Sequence, residues 1–239
     1  MKIELPRTNN LLGKLPEDLQ RGLLTKLPEN LQRGLFAKGR TTALAADQTL
    51  FLSGDAGDGC YRIDEGLLKV SVVAPTGAER ILAILGPGAI VGELSMISGK
   101  PRSASVAAIR EASLCYISRT SFESFARDNI ETYQHLIRLL AQRLTDTNEA
   151  LAATTFLTLQ GRAARALLSL AEGFGHDVGN GRILIRQKIT QSDLAAMAGI
   201  ARENASRILK DWTRRTLVSR LAGYYCVENR VELEREAAM

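Results

Sequence analysis

From Thr42 to Ile117 the chain reads as short apolar runs punctuated by glycine: Thr49 to Leu52, Leu67 to Val73, Ile81 to Leu85, Ser105 to Ile109 and Leu114 to Ile117. Turn signals at Gly54, Gly57, Gly59, Pro75-Thr76-Gly77 and Gly86-Pro87-Gly88 separate them. Such spacing predicts a compact all-β domain, a barrel or sandwich. The period then becomes helical. Thr120-Ser-Phe-Glu123 has the form of a capping box opening a short helix, and Asp128-Asn129 offers a break and a fresh N-cap. On the long helix that follows, Tyr133, Ile137, Leu140, Leu144, Thr147, Leu151 and Thr154 recur at alternating spacings of four and three. That narrow seam is the pattern of a coiled coil between two copies of the chain, the alternative being a helix packed on its own domain.

Beyond Thr158, a hinge N-cap, the pattern predicts a helix from Gln160 to Ala171, a polar turn from Gly173 to Gly181 and a strand from Arg182 to Arg186. Two short helices follow, Gln191 to Ala198 and Arg202 to Trp212, then a last strand from Tyr224 to Val227. Together these describe a winged helix-turn-helix. The N-terminus carries a twelve-residue duplication, LGKLPEDLQRGL followed directly by LTKLPENLQRGL, each copy in the order of a short helix opened by proline. Two copies are too few for a solenoid, and no chemistry attaches to them.

With 45% hydrophobic and 24% charged residues, the composition is that of a soluble globular protein, and no apolar stretch approaches the roughly 20 residues of a membrane span. The first residues lack the apolar core of a secretory signal, so the expected location is cytoplasmic. Cys60, Cys115 and Cys226 are widely spaced, which suggests buried reduced thiols rather than a metal or iron–sulfur site. Net charge is +5, but the window from Arg182 to Arg220 alone holds nine basic and three acidic residues, net +6. The excess positive charge thus lies on the helix-turn-helix, where an anionic polymer would bind.

Two constellations carry chemistry. In GAIVGELSMISGKPRSASV, a strand runs into Gly92-Glu93-Leu94 at the start of a helical turn, and Arg102-Ser103 stands nine residues beyond Glu93. An Arg fork and a Ser hydroxyl suit a phosphate, whereas a carboxylate suits a sugar hydroxyl. On spacing alone, Glu93 and Arg102 could equally form a structural ion pair. The second constellation is the capping box Thr190-Gln-Ser-Asp193, the turn at Gly199 and the helix beginning Arg202-Glu203. Arg202, Glu203 and Arg207 project from the turns that enter a major groove, Arg to guanine O6 and N7 and Glu to cytosine N4. Lys210 and Lys188 are placed to meet phosphates.

The first segment resembles the phosphate-binding cassette of cyclic-nucleotide-binding domains, and the whole arrangement after about Leu35 resembles the cAMP receptor protein family of regulators. The resemblance implies an α+β chain: N-terminal helices and a jelly-roll cyclic-nucleotide-binding β-barrel (residues 1–129), a dimerisation helix (130–157) and a winged helix-turn-helix (158–239). It implies a ligand set of Gly92, Glu93, Leu94, Arg102, Ser103, Thr147 and Asn148, with Glu93 on the ribose 2′-hydroxyl, Arg102 and Ser103 on the cyclic phosphate, and Thr147 and Asn148 on the purine across the seam. Asn148 departs from the hydroxyl residue usual in the family, which leaves cAMP and cGMP both open, with cAMP the family's ordinary ligand. The R-E-x-x-x-R order of Arg202, Glu203 and Arg207 implies a TGTGA-like half-site in double-stranded DNA bound by a homodimer; Ala201 and Asn204 depart from the usual Ser and Thr. Contact with RNA polymerase is also implied. Haem- and iron–sulfur-sensing relatives of the fold are disfavoured: the only histidines, His135 and His176, lie outside the β-domain, and no cysteine precedes Cys60. Enzyme signatures such as a P-loop, H-E-x-x-H or G-x-S-x-G are absent.

Overall fold

A computed structural model describes residues 28–239. The first copy of the N-terminal duplication lies outside the described residues. Of the second copy, the described residues from Pro28 lead into α1 (Glu29–Phe36), which buries Leu31, Leu35 and Phe36.

The β-domain comprises β1 (Arg40–Leu44), β2 (Thr49–Phe51), β3 (Gly59–Val73), β4 (Glu79–Leu85), β5 (Ile90–Val91), a six-residue helix α2 (Glu93–Ser98) and β6 (Ser105–Ser118). Every pairing is antiparallel, in the order β1-β6-β3-β4, with β2 also on β6 and β5 also on β3. Alternate side chains point inward, so Leu44, Ile63, Leu68, Val91, Val106 and Leu114 share one core. Two expected runs, Ser105 to Ile109 and Leu114 to Ile117, prove to be one strand. Its register against β3 shifts between Ile63 and Leu68, and this irregularity breaks the alternation that makes a strand visible in sequence.

Helix α3 (Arg119–Asp128) is capped differently from expectation. Its N-cap is Ser118, whose hydroxyl accepts from the Ser121 amide, and Thr120 is exposed inside the first turn. Asn129 likewise does not cap the next helix; its side-chain amide donates to the Phe125 carbonyl at the end of α3. The long helix α4 (Glu131–Phe156) has 26 residues, about 39 Å at 1.5 Å each. Its first half buries Thr132, Leu136 and Leu139 against the β-domain. The seam divides: Tyr133 lies edge-on to Phe122 and Leu140 packs on the same core, whereas Ile137, Leu144 and Leu151 are each more than 60% exposed.

Thr158 caps α5 (Leu159–Phe174) through the Gly161 amide. There follow β7 (Gly175–Asp177), β8 (Ile183–Ile185), α6 (Gln191–Ala198), α7 (Arg202–Arg214), β9 (Val218–Leu221), β10 (Tyr224–Val227) and α8 (Arg230–Glu236). The strands form one sheet in the order β7-β8-β10-β9. Strand β7 lies within the polar turn expected from Gly173 to Gly181. Trp212, Leu167, Leu194 and Leu233 centre the C-terminal core. That core extends across the chain, since Leu67 of β3 belongs to it and Ile84 and Ile109 pack against it.

The cap assignment is directly testable. Ser118→Ala should cost about 1 kcal/mol in denaturant unfolding, the usual worth of an N-cap, whereas Thr120→Ala should be near neutral. The reverse order would restore Thr120 as the cap.

Candidate functional sites in the β-domain and the helix-turn-helix

Strand β5 pairs with Tyr61 and Arg62 of β3 and delivers the chain to Gly92. There φ is +85°, a left-handed conformation that places α2 at a sharp angle to the strand. A Cβ at Gly92 would lie 2.5 Å from Arg102 Nη1, so only glycine admits the guanidinium. Arg102 is 5% exposed. Its Nη1 donates to the carbonyls of Gly59 (2.9 Å) and Gly92 (2.7 Å), and the guanidinium carbon lies 4.3 Å from the centre of the Phe51 ring. Its Nε is buried without a partner.

Glu93 is 1% exposed, and its counter-ion is not Arg102 but Arg143 of α4, which reaches Oε1 through Nη1 and the Ile90 carbonyl through Nη2 at 2.7 Å. Oε2 is buried without a partner. The ion pair left open by sequence spacing therefore exists with a different cation. Each acidic and basic member of the cassette keeps one unsatisfied atom, in a place where burial makes unsatisfied polar atoms costly. An acceptor beside Arg102 Nε and a hydroxyl beside Glu93 Oε2 would complete both, so the donor set fits a ligand carrying a phosphate and a sugar.

Leu94 and Ser103 are exposed beside these groups. Thr147 and Asn148 lie on the exposed side of α4, about one turn beyond Arg143; Thr147 Oγ1 donates to the Arg143 carbonyl at 2.7 Å. The structure thus gathers Gly92, Glu93 and Arg102 in one place, links them to α4 through Arg143, and leaves Thr147 and Asn148 facing outward. Sequence reasoning missed Arg143. Its signal was the four-residue interval to Thr147, which puts both on one helical face.

In the C-terminal part, Thr190 and Asp193 form the expected reciprocal capping box on α6. Gly199 closes that helix at φ +63° and turns the chain into α7. Ala205, Ile208, Leu209 and Trp212 are buried at helical spacing, while Arg202, Glu203, Arg207 and Lys210 are exposed. Ala201, at the N-cap of α7, makes no side-chain cap bond. Lys188 is exposed with its ammonium 5.4 Å from the Tyr224 ring centre. Strands β9 and β10 form a hairpin turned by Ala222 and Gly223, both at positive φ, as a two-residue type I′ turn requires. This hairpin is the wing, and its first strand was not anticipated from sequence.

All three cysteines are free and buried, and burial raises the pKa of each thiol. No cluster of His, Cys, Asp and Glu suited to a metal ion occurs among the described residues, and no described helix is long and apolar enough to cross a membrane.

A β-domain with this cassette, carried on a long helix into a winged helix-turn-helix, defines a ligand-responsive DNA-binding regulator. Known proteins agree. Residues 41–129 match the cyclic nucleotide-binding domain family, and residues 161–236 match the Crp-like helix-turn-helix domain. The chain is 36% identical to a CRP-like cAMP-activated global transcriptional regulator of Mycobacterium tuberculosis, over 70% of this chain and 74% of that one. It is 33% identical to the cyclic AMP receptor protein of Thermus thermophilus, over 67% and 70% of the two chains. Among solved structures, FixK2 of Bradyrhizobium japonicum shares the fold with a TM-score of 0.73 at 19% identity, covering 84% of this chain and 98% of that one. The chain belongs to the cAMP receptor protein family of cyclic-nucleotide-responsive, DNA-binding transcription regulators, and these relatives are regulators rather than enzymes.

The Glu93–Arg143 pair has a stability signature. Arg143→Met leaves a buried carboxylate without its cation and should destabilise the protein by about 3 kcal/mol in urea unfolding, the scale for breaking a buried pair. Adding Glu93→Gln should recover a large part of that loss. Failure of the second change to recover stability would show that the two side chains do not depend on one another.

Proposed function

We propose that the protein is a cytoplasmic homodimer that binds cAMP at Glu93, Arg102 and Ser103, meets the purine with Thr147 and Asn148 across the seam, and thereby binds a TGTGA-like palindrome. The observation that carries this reading is the pair of orphaned atoms, Arg102 Nε and Glu93 Oε2, in a cassette tied through Arg143 to a helix whose apolar seam is exposed. Arg102 and Ser103 take the cyclic phosphate, Glu93 takes the 2′-hydroxyl, and Gly92 and Leu94 shape the backbone around the ribose. Asn148 both donates and accepts, so it can address either adenine or guanine, and cGMP is the competing ligand. The barrel, the α4 rod and the helix-turn-helix are read as the sensing, dimerising and DNA-binding units, with boundaries near residues 129 and 157.

Pairing α4 with its copy covers Ile137, Leu144 and Leu151, which are otherwise left to water. Ligand at the seam then favours the dimer in which the two α7 helices stand about 34 Å apart, one DNA turn. Arg202, Glu203 and Arg207 read bases; Lys188 and Lys210 meet phosphates. RNA polymerase is the partner that this role implies.

Calorimetric titration with cAMP and, separately, cGMP, with and without a TGTGA…TCACA duplex, tests the reading. Linkage requires that whatever factor the nucleotide adds to DNA affinity, DNA adds to nucleotide affinity. Micromolar or tighter binding to one nucleotide, tightened by the duplex, is expected. Absence of heat with both would remove cyclic nucleotides as the signal. Arg102→Leu should weaken nucleotide binding at least ~10-fold, since a hydrogen bond to a charged group is worth about 1.5–3 kcal/mol; a variant that responds normally would overturn the site assignment. Leu144→Glu should shift the sedimentation of the protein from dimer to monomer.

A further inference from the structure

Helix α1 lies in an apolar seat formed by α3, β6 and the first part of α4. Leu31, Leu35 and Phe36 are each 5% exposed, and Leu35 and Phe36 share a core with Ile117, Phe122 and Leu136. Gly34 lets the Phe125 ring lie against the helix, since a Cβ there would stand 2.6 Å from Cε2. The Arg62 guanidinium lies over Phe36, 4.8 Å from the ring centre. On the outer face Glu29 and Arg33, one turn apart, form an ion pair at 3.1 Å. The seat also backs the cassette, because Ile90 and Met96 belong to the same core.

The function read above makes no use of the N-terminal duplication. Residues 12–23 repeat residues 24–35 with two differences, Gly13 for Thr25 and Asp18 for Asn30. Asn30 is exposed and Thr25 precedes the helix, so neither difference falls on the seated face. Leu19, Gly22 and Leu23 stand at the spacing of Leu31, Gly34 and Leu35, and behind Pro16 as those stand behind Pro28. Glu17 and Arg21 repeat the residues of the outer ion pair. Only Phe36 has no equal upstream; its counterpart is Leu24. A seat that selects its occupant by an apolar face at helical spacing distinguishes the two copies at this position alone.

We propose that the upstream copy is a second occupant of this seat, and that the chain exchanges between a register with residues 29–36 seated and one with residues 17–24 seated. Two features favour the register described. Leu24 cannot replace the Phe36 ring beneath Arg62. The connection to β1 would also lengthen from residues 37–39 to residues 25–39, and closing that longer loop disfavours the exchange by about tenfold. Loop length is a weak penalty, so the upstream copy remains within reach and takes the seat when the downstream face is impaired.

The experiment uses the full-length protein in three variants: Leu31→Ala with Leu35→Ala, Leu19→Ala with Leu23→Ala, and all four together. The upstream variant should unfold at the wild-type Tm. The downstream variant should lose stability, and the combined variant should unfold at least about 4 °C lower still, because two buried Leu→Ala changes cost more than the exchange does. In limited trypsin digestion, protection should move from Arg33 to Arg21 in the downstream variant. The milder Phe36→Leu, which removes the preference, should speed cleavage at Arg33, and adding the upstream changes should abolish that increase. Equal Tm values for the downstream and combined variants would overturn the proposal, since residues 12–23 would then add nothing to the seat. So would a downstream variant that fails to fold, or a Phe36→Leu variant whose Arg33 cleavage matches wild type. An upstream variant that loses as much stability as the downstream one would overturn it by giving that copy a separate site. Protection of Arg21 that disappears on dilution would overturn the assignment to the same chain and make a second copy the donor.

Discussion

The contact between Glu93 and Arg143 is the constraint around which the rest of the molecule is arranged. The carboxylate is buried in the β-domain, and its ion-pair partner comes from the long helix rather than from that domain. The cassette and α4 are therefore bound as one unit. Arg143 also holds the carbonyl of Ile90, the strand residue that leads into Gly92. Any ligand that engages Glu93 competes with or completes a bond to α4, and so acts on the helix that carries the seam. One side chain thus spans the distance from the cassette to α4.

The second half of the connection is apolar. Leu67 is a full member of the core that also contains Leu167, Leu194 and Trp212, and Ile84 and Ile109 pack on the same cluster. The position of the helix-turn-helix is thus set by strands β3, β4 and β6. At the edge of this contact, Arg80 of β4 places Nη1 against Gly199, the turn residue of the helix-turn-helix, where a Cβ would come within 1.8 Å of it. Burial lowers the Arg80 pKa, with Arg162 of α5 adding a like charge, and Nη1 of one and Nε of the other have no partner. A hydrophobic contact rimmed by two like charges holds the two parts together less tightly than a fully apolar one would.

What could be read from sequence follows from how local each signal is. The capping box at Thr190 and Asp193, the cap at Thr158, the turn at Gly199 and the long helix α4 depend on residues within one or two turns, and each was legible. The expected Thr120 box was wrong for the same local reason: Ser118 and Thr120 are both good caps, and only the end of β6 decides between them. Strands were harder. The N-terminal half of β3 carries Arg62, Asp64 and Glu65, which interrupt any apolar run, and β9 reads Val-Ser-Arg-Leu with one buried residue. These segments are strands because of their partners. Arg143 was hidden for a stronger reason: the interval to Thr147 marks a face, but only the fold brings Glu93, fifty residues earlier, to that face. Family resemblance implied what local reading could not, one ligand shared by Glu93 and Arg102, while neither spacing nor resemblance pointed to the cation that pairs with Glu93.

Unsatisfied polar atoms in a folded core ordinarily select against a sequence, because an apolar residue of similar shape would be more stable. Some here have no connection with a candidate site, Trp212 Nε1 and Thr132 Oγ1 among them. Two others lie together in the cassette, Arg102 Nε and Glu93 Oε2, and there the missing partner has a definite chemistry, an anionic oxygen for the first and a hydroxyl for the second. A buried deficit of this kind weakens the protein in isolation and is relieved by a ligand that carries both groups.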